Sequence, residues 1–515
     1  MTFQSNFHER MNILELPALA SASAEIRRSG RKIVLCHGTF DLLHIGHIRH
    51  FEAARKHGDV LVVTITADRF VKKGIDRPVF NQVLRAEMIA ALKLVDYVSI
   101  IDDASAIPAI EAVQPSFYVK GSDYRKASDD VTGKIGKEQN AVESFGGELV
   151  FTDEIVFSSS ALLNANFGLI SDDVRSYLDS YISESTWQGV RDRFDQARSL
   201  KTLYIGEVIL DEYVYVETLG KAAKESIIAT QYRSHDVFAG GVIAAANHVS
   251  DIHENLTVLT AVGSGDPLNP VVRDRLKPAI NLLSVELSGR PTVRKQRFID
   301  RSYMRKMHEV YYMDDSPMLP EQEGDFLAKL ESAVEDADIV CVTDFGHGLI
   351  NDKAVDILQK KAKFLAVNAQ TNSGNRGYNL ISKYPRADFV CLDEPELRLA
   401  CADKHATIEE LIVNRMDKFI DARNVIVTHG REGCYLKNET GHVERVPALT
   451  TRVVDTVGAG DAFFAYSAPL AAMNAPIREI ALVGNIAGAL KVDIVGHSKS
   501  VEPESVLRYL ETLLK

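Results

Sequence analysis

The stretch HGTFDLLHIGH, residues 37–47, places His44 and His47 three positions apart just after the apolar run VLC. On a helix that spacing turns both imidazoles to one face, where they can meet one ligand. Gly46 between them permits close backbone approach. A helical zinc pair is usually spaced i, i+4 with an intervening glutamate and needs a third ligand, and neither occurs nearby. A phosphate cradle at a strand-to-helix turn and a capped helix with incidental histidines both remain. A second stretch, VVDTVGAGDAFFAYSAPLAAM, starts at Val453. Gly458, Ala459 and Gly460 open an apolar helix there, with Asp461 in its first turn. The amides of residues 458–461 can form an anion hole for a transferring phosphoryl group, aided by the helix dipole. A carboxylate at that point can take the proton of an attacking hydroxyl as general base. An acidic residue in a first turn also stabilises its own helix, so the flanking segments must separate the two roles.

Elements that can position these residues are legible around them. KIVLCHGTF, DVLVVTITAD, DYVSIID and SFYVKGSDY are short buried strands separated by helical segments, the pattern of a parallel sheet wound on both faces. Ligands of such sheets bind beyond the carboxyl ends of the strands, where HGTFDLLHIGH lies. A second α/β series begins at TLYIGEVILDEYVYV and runs to the C-terminus. The expected organisation is an N-terminal extension over 1–30, a Rossmann-like α/β domain over 31–166, a helical linker over 167–200 around the only tryptophan, Trp187, and a second α/β domain over 201–515 with a small β lid. A length of 515 residues fits two or three domains.

Composition excludes several classes. The net charge of −12 argues against broad nucleic-acid or anionic-membrane binding, while leaving small phosphorylated ligands open. No apolar run approaches the length of a membrane span. Five cysteines, Cys36, Cys341, Cys391, Cys401 and Cys434, show no C-x-x-C spacing and indicate free thiols in a reducing, cytoplasmic setting.

GTFDLLHIGH resembles the signature of the cytidylyltransferase-like nucleotidyltransferases, with Gly38, Thr39, Phe40 and Asp41 as its opening turn. RPVFNQVLR and YVKGSDY match later segments of that family and supply Arg77, Arg85, Lys120, Gly121 and Asp123. Ser158, Ser159 and Ser160 stand where the family has its closing hydroxyl motif. The resemblance implies in-line attack of an acceptor phosphate on the α-phosphorus of a nucleoside triphosphate, with pyrophosphate leaving and Mg2+ bridging the phosphates. It gives His44 and His47 to the triphosphate, with Lys72 or Lys73 adding positive charge. DEIVFSSSALL lacks the arginine that glycerol-phosphate and choline-phosphate cytidylyltransferases carry before the hydroxyls. It is closer to the adenylyltransferase half of the bacterial bifunctional heptose enzymes, which favours ATP, with CTP as the alternative.

The second domain resembles the ribokinase-like sugar kinases through DTVGAGD. The resemblance places Asp211 in IGEVILDEY and the paired glycines Gly240 and Gly241 at the sugar. Thr428, Gly430 and Gly433 in VTHGREGCYL, with Asn485, go to the nucleotide. Glu396 takes the glutamate position of Asn-x-x-Glu, linked indirectly to Mg2+, with Asp393 for the asparagine. The ribbon from Gly289, which carries Arg290, Pro291, Thr292, Lys295 and Arg297, resembles the lid of heptose-7-phosphate kinases and suits a phosphorylated sugar. Its structural alternative is an edge strand guarded by charge. Such lids often pair between subunits, so a homodimer is expected. Two departures stand out. Ala244 replaces the usual sugar-binding asparagine, and GSGDPLNP and VNAQTNSGN replace familiar segments. The order of domains is also the reverse of the bifunctional heptose enzymes.

The expectation is a bifunctional enzyme of nucleotide-sugar synthesis, combining an ATP-dependent sugar or sugar-phosphate kinase with a nucleotidyltransferase for a sugar 1-phosphate. The alternatives are a cytidylyltransferase for a polyol or amino-alcohol phosphate fused to a substrate-supplying kinase, and a nucleotidyltransferase regulated by a non-catalytic, kinase-like sensor.

Overall fold

The computed structural model describes residues 12–74, 77–121, 134–152, 171–181, 185–302, 304–438, 440–450 and 452–514. They form two compact units. The first contains the described residues up to Ser171 together with those from Leu507 onward, and the second spans Asp172–Val506.

In the first unit, β1 (Ile33–Gly38), β2 (Val60–Thr66), β3 (Tyr97–Ile101), β4 (Phe117–Gly121) and β5 (Glu148–Thr152) form a parallel sheet of order β3-β2-β1-β4-β5. The sequences IVLCHG and VLVVTIT are nearly continuous apolar runs because both faces of these strands are covered by helices. Succession runs outward from β1 to β3, then returns to the other side of β1 at β4. The crevice for a ligand therefore opens at the carboxyl ends of β1 and β4. The extension expected over 1–30 contains a helix, Leu16–Arg28, whose Leu19 and Ile26 join Ile33, Leu35 and Val60 in one core.

In the second unit the strands are β6 (Lys201–Gly206), β7 (Val208–Lys221), β8 (Ile228–Gly241), β9 (Asn255–Gly263), β10 (Ile280–Leu287), β11 (Arg294–Asp300), β12 (Arg305–Tyr312), β13 (Ile339–Asp344), β14 (Leu365–Ala369), β15 (Arg386–Asp393), β16 (Asp421–Thr428), β17 (Cys434–Lys437) and β18 (Val443–Val446). The large sheet has the order β10-β9-β6-β13-β14-β15-β16-β17-β18, parallel up to β16 and antiparallel beyond it. Its order reverses between β6 and β13. A smaller sheet, β12-β11-β7-β8, lies outside the large one. The expected ribbon β11–β12 is present as an antiparallel pair, and β11 also pairs in parallel with β7. The lid is thus a sheet rather than a lone hairpin. The helices Asp172–Tyr181 and Trp187–Ala197 of the expected linker belong to this second unit. Trp187 is buried, and Arg193 reaches the buried Glu479 carboxylate at 2.8 Å.

Candidate functional sites

In the first unit, β1 ends in His37 and Gly38, and the chain turns through Phe40, held at φ +48°, into helix Ile45–Arg55. His44 is the N-cap of that helix, its Nδ1 accepting the Gly46 N–H at 3.1 Å. Capping the helix through Nδ1 therefore does not by itself exclude a ligand role for His44. The His44 and His47 rings stack at 3.9 Å, and Phe40 meets His47 edge-on at 5.2 Å. Burial, then the charges of His44 and Lys73, pushes His47 down to about 3. Burial and Lys73 lower His44 as well. Both imidazoles are therefore neutral at pH 7, and each can donate one N–H to a phosphate without carrying a full charge.

A cavity of about 110 Å³ opens at the end of β1, lined by His37, Gly38, Thr39, Lys73, Lys120 and Lys134 among others, and neither His44 nor His47 is part of its lining. Lys73, rather than Lys72, lines it. Arg508, from the C-terminal segment that belongs to this unit, lines it too. Lys120 also pairs with Glu138 at 3.3 Å, and Glu138 accepts the Tyr118 hydroxyl at 2.8 Å.

Asp41 and Arg77 serve the site indirectly. Their side chains are buried against each other at 3.2 Å, and Asp41 accepts the Val79 N–H at 2.7 Å. The pair fixes the RPVF loop against the HGTF turn. Arg85, fully buried, ties the same region together through Thr39 O, Thr66 O, Phe80 O and Asp68. Ser158, Ser159, Ser160 and Asp123 lie outside the described residues.

In the second unit, Gly458 caps helix Ala459–Ala472 at φ +78°, a left-handed conformation that glycine adopts without strain. A side chain at Gly460 would meet nothing within 4 Å, so the first turn faces open space. Asp461 is buried beside it and accepts the Gln370 amide at 2.8 Å. Burial raises the Asp461 carboxyl above the ordinary range, against the lowering influence of His497 and Gln370. That direction suits a general base.

Asp211 is the fourth residue of β7 and is buried. Its carboxylate pairs with Arg297 and lies 3.4 Å from His497 Nε2. Burial alone would raise it, but the His497 hydrogen bond and the Arg297 charge hold it well below the usual range. Gly240 and Gly241 are required by close approach: a Cβ on Gly240 would fall 2.2 Å from Asp211 Oδ2, and one on Gly241 2.3 Å from Glu207 O. Lys295 stands opposite Asp211 in the β11–β7 register and is buried over the Tyr311 ring. Ala244 is buried in helix Val242–Val249.

Thr428 ends β16, its hydroxyl donating to Leu392 O at 3.3 Å. A side chain at Gly430 would meet open space, whereas one at Gly433 would strike Val446 O at 2.0 Å. Gly430 therefore borders room for a ligand, and Gly433 is a packing requirement. Asn485 donates to Pro447 O at 2.7 Å.

Glu396 and Asp393 form a capping box, Glu396 Oε2 accepting the Asp393 N–H at 2.8 Å and Asp393 Oδ1 the Glu396 N–H at 2.9 Å. Glu396 Oε1 also accepts the Thr371 N–H at 2.9 Å. Burial, reinforced by Asp393, pushes the Glu396 carboxyl up to about 8. Among the described residues no group of three or more His, Cys, Asp or Glu side chains could hold a metal ion. A magnesium ion brought by the nucleotide's phosphates would fit this donor set, with Glu396 as the residue placed to hold it.

Three residues in this unit, Gln370, Lys491 and His497, carry no motif signal, and Asp455 opens DTVGAGD without a role of its own in the sequence reading. Gln370 lies in VNAQTNSGN, a segment that reads only as a departure. Asp455, Lys491 and His497 reach the phosphate loop from its own start and from the far end of helix Ile477–Lys491.

Comparison with known proteins assigns the two units separately. The cytidylyltransferase-like family model matches residues 35–165, and the model of the pfkB family carbohydrate kinases matches residues 201–504. Over the first of these regions the chain is similar to the "Bifunctional protein HldE" of Geobacter metallireducens, 39% identical over 139 residues, which is 27% of each chain. It is 41% identical to that of Koribacter versatilis over 148 residues, 28% of each. The chain thus spans little more than a quarter of the length of these relatives. Among solved structures, Arabidopsis thaliana ribokinase with ribose and ATP is 16% identical with a TM-score of 0.46, covering 61% of this chain and 99% of that one. Escherichia coli phosphofructokinase-2 is 14% identical with a TM-score of 0.48, covering 61% and 100%.

Proposed function

The chain belongs to the pfkB family of carbohydrate kinases, whose model spans residues 201–504 of 515, behind a cytidylyltransferase-like domain, and on that premise we propose that it is a bifunctional enzyme of nucleotide-sugar synthesis. The second unit phosphorylates a sugar or sugar phosphate of the heptose 7-phosphate type with ATP. The first transfers a nucleotidyl group, adenylyl from ATP, to a sugar 1-phosphate. The observation that carries the kinase half is the buried Asp461, oriented by Gln370 at the mouth of an open glycine turn. The name of the HldE relatives supports the bifunctional reading, although in those enzymes the domain order is reversed.

In the kinase site the substrate hydroxyl gives its proton to Asp461 and attacks the γ-phosphorus, and ADP leaves. The amides of residues 458–461 hold the phosphoryl oxygens, and Gln370 keeps the carboxylate aimed. Lys295 and Arg297 supply positive charge for a phosphate already on the sugar. Arg297 must share itself between that phosphate and Asp211. In the first unit a phosphate oxygen of the acceptor attacks the α-phosphorus in line, and pyrophosphate departs. His44 and His47 donate their N–H groups to the triphosphate, and Lys73 and Lys120 neutralise it. A magnesium ion bound with either triphosphate would supply charge neutralisation to the phosphates, and in the kinase site Glu396 would be the residue placed to hold it. The acceptors are small phosphorylated sugars, and neither nucleic acid nor membrane is a partner. Among the described residues no helix is long and apolar enough to cross a membrane. A cytoplasmic location and a homodimer through the lid sheet complete the reading.

The magnesium role gives a direct expectation. With its carboxyl near 8, Glu396 is mostly protonated at pH 7, and the cation must displace that proton. The Mg2+ concentration for half-maximal ADP formation should therefore fall as pH rises from 7 to 9. Glu396→Gln should raise it about tenfold and flatten that pH dependence.

The test is to supply purified protein and Mg2+ with ATP or CTP and a panel including heptose 7-phosphate and heptose 1-phosphate, following ADP and pyrophosphate separately. ADP with heptose 7-phosphate and pyrophosphate with ATP plus heptose 1-phosphate are expected. Pyrophosphate with CTP alone would replace the heptose assignment by the cytidylyltransferase reading. Nucleotide binding without ADP from any sugar would make the second unit a sensor.

A further inference from the structure

Lys491 is the last residue of helix Ile477–Lys491, and its side chain is completely buried. Its Nζ donates to Val457 O at 2.7 Å and to Gly496 O at 2.8 Å. Among the described residues it forms no ion pair with a carboxylate. An ammonium buried against carbonyls alone is costly, so its place invites a functional account.

That account lies in the peptide it holds. Val457 immediately precedes Gly458, and in a trans peptide the C=O and the following N–H point to opposite sides. Fixing Val457 O on Lys491 therefore aims the Gly458 N–H away from Lys491. The loop is pressed onto the lysine stem: a Cβ at Gly458 would lie 3.2 Å from Lys491 Cε and 2.4 Å from His497 Cε1. Asp455 holds the same two residues through the peptides that precede them. Its Oδ1 accepts the Val457 N–H at 3.1 Å and its Oδ2 the Gly496 N–H at 2.8 Å. Tyr213 and Lys306 occupy the rest of that carboxylate. Carbonyls of the two loops thus converge on one buried cation while their amides converge on one carboxylate.

We propose that Lys491 is a positioning residue for phosphoryl transfer, a tethered monovalent cation that sets the Val457–Gly458 peptide so that the amides of residues 458–461 face the transferring phosphoryl group. This rests on the kinase reading above. Burial lowers the Lys491 ammonium to about 8, against the raising influence of Asp455, Asp461 and Asp211, while Lys306 lowers it further. His248 and His497 complete the charged and titratable groups around it. The ammonium is present at pH 7 and lost as pH rises through about 8, and kinase turnover should fall with it.

The experiment compares the full chain with Lys491→Met, which keeps the stem without the charge, and Lys491→Ala, which leaves room for a small cation. ADP formation and thermal midpoint are measured in choline chloride, with and without ammonium or potassium chloride. The parent should be indifferent to the added cation. Lys491→Met should lose about 100-fold in kcat with little change in KM for ATP, a loss of the order seen when one anion-hole donor is removed. It should also lose the fall in turnover above pH 8. Lys491→Ala should recover at least tenfold in kcat with ammonium or potassium, with a matching rise in thermal midpoint. Pyrophosphate release by the first unit should be unchanged in both, and a little-changed KM for ATP in ADP formation shows that the second unit of each variant is folded. Parental kcat in Lys491→Met, or a Lys491→Ala protein indifferent to cations in both rate and midpoint, overturns the proposal. If the parent forms no ADP with any sugar of the panel, the kinase reading has failed. The cation-dependent midpoint of Lys491→Ala then decides separately whether Lys491 acts as a tethered cation that holds this loop.

Discussion

Asp461→Asn is expected to lower ADP formation by about 10³-fold while leaving KM for ATP within a factor of two or so. Asparagine keeps the volume and can still accept the Gln370 amide through its Oδ1, so the turn and its anion hole should survive. What is lost is the ability to take the proton of the attacking hydroxyl. Because ADP arises only from phosphoryl transfer and pyrophosphate only from nucleotidyl transfer, the first unit provides an internal control: its pyrophosphate release should not change. The pH profile supplies a second check. Burial raises the Asp461 carboxyl, so the protonated, inactive form persists to higher pH than for an ordinary aspartate. The acid limb of kcat/KM should accordingly lie above the usual carboxylate range and disappear from the residual activity of the variant. Retention of more than about a tenth of parental turnover would remove Asp461 from the role of base.

His47→Ala is expected to reduce pyrophosphate release about 100-fold or more, as for removal of one donor to a developing oxyanion. His44→Ala should cost a similar factor and in addition about 1 kcal/mol of stability, because His44 also caps its helix. The pH dependence separates neutral donors from cations. With His47 held near 3 by burial and by the neighbouring His44 and Lys73, the free enzyme carries it neutral throughout pH 5–8. Its kcat/KM for pyrophosphate release should show no step from His47 in that interval. A fall in activity on deprotonation near pH 6.5 would instead mean that His47 works as an imidazolium. ADP formation should be unaffected by either substitution.

Some of this chemistry was legible because it is local. GAGD and HIGH each place their reacting groups within one turn of a helix start, and a strand-to-helix junction can be recognised from a dozen residues. Groups that arrive from far along the chain were not legible in that way. Gln370 looked like a lost motif until β14 brought it to Asp461. Lys491 reads as an unremarkable basic residue at a helix C-terminus, and only the fold reveals that its ammonium is buried against the loop 34 positions earlier. The motif gives Asp41 and Arg77 to the nucleotide, yet the two pair with each other and Asp41 also accepts the Val79 N–H. The parallel pairing of β11 with β7 also escaped, since a ribbon's alternation shows that it is a strand but not which neighbour it joins.

That last pairing has a consequence for how the lid can change. The β11 register sets Lys295 opposite Asp211 and Arg297 opposite Tyr213, while Arg294 and Gln296 fall on the alternate positions. Strand side chains alternate with period two, so one residue gained or lost between Pro291 and Arg294 would exchange the two sets. Lys295 and Arg297 would turn out, and Arg294 and Gln296 would turn in, with the composition of the lid unaltered. Substitution changes this face of the sheet one side chain at a time, whereas a change in length rewrites its whole reading frame at once.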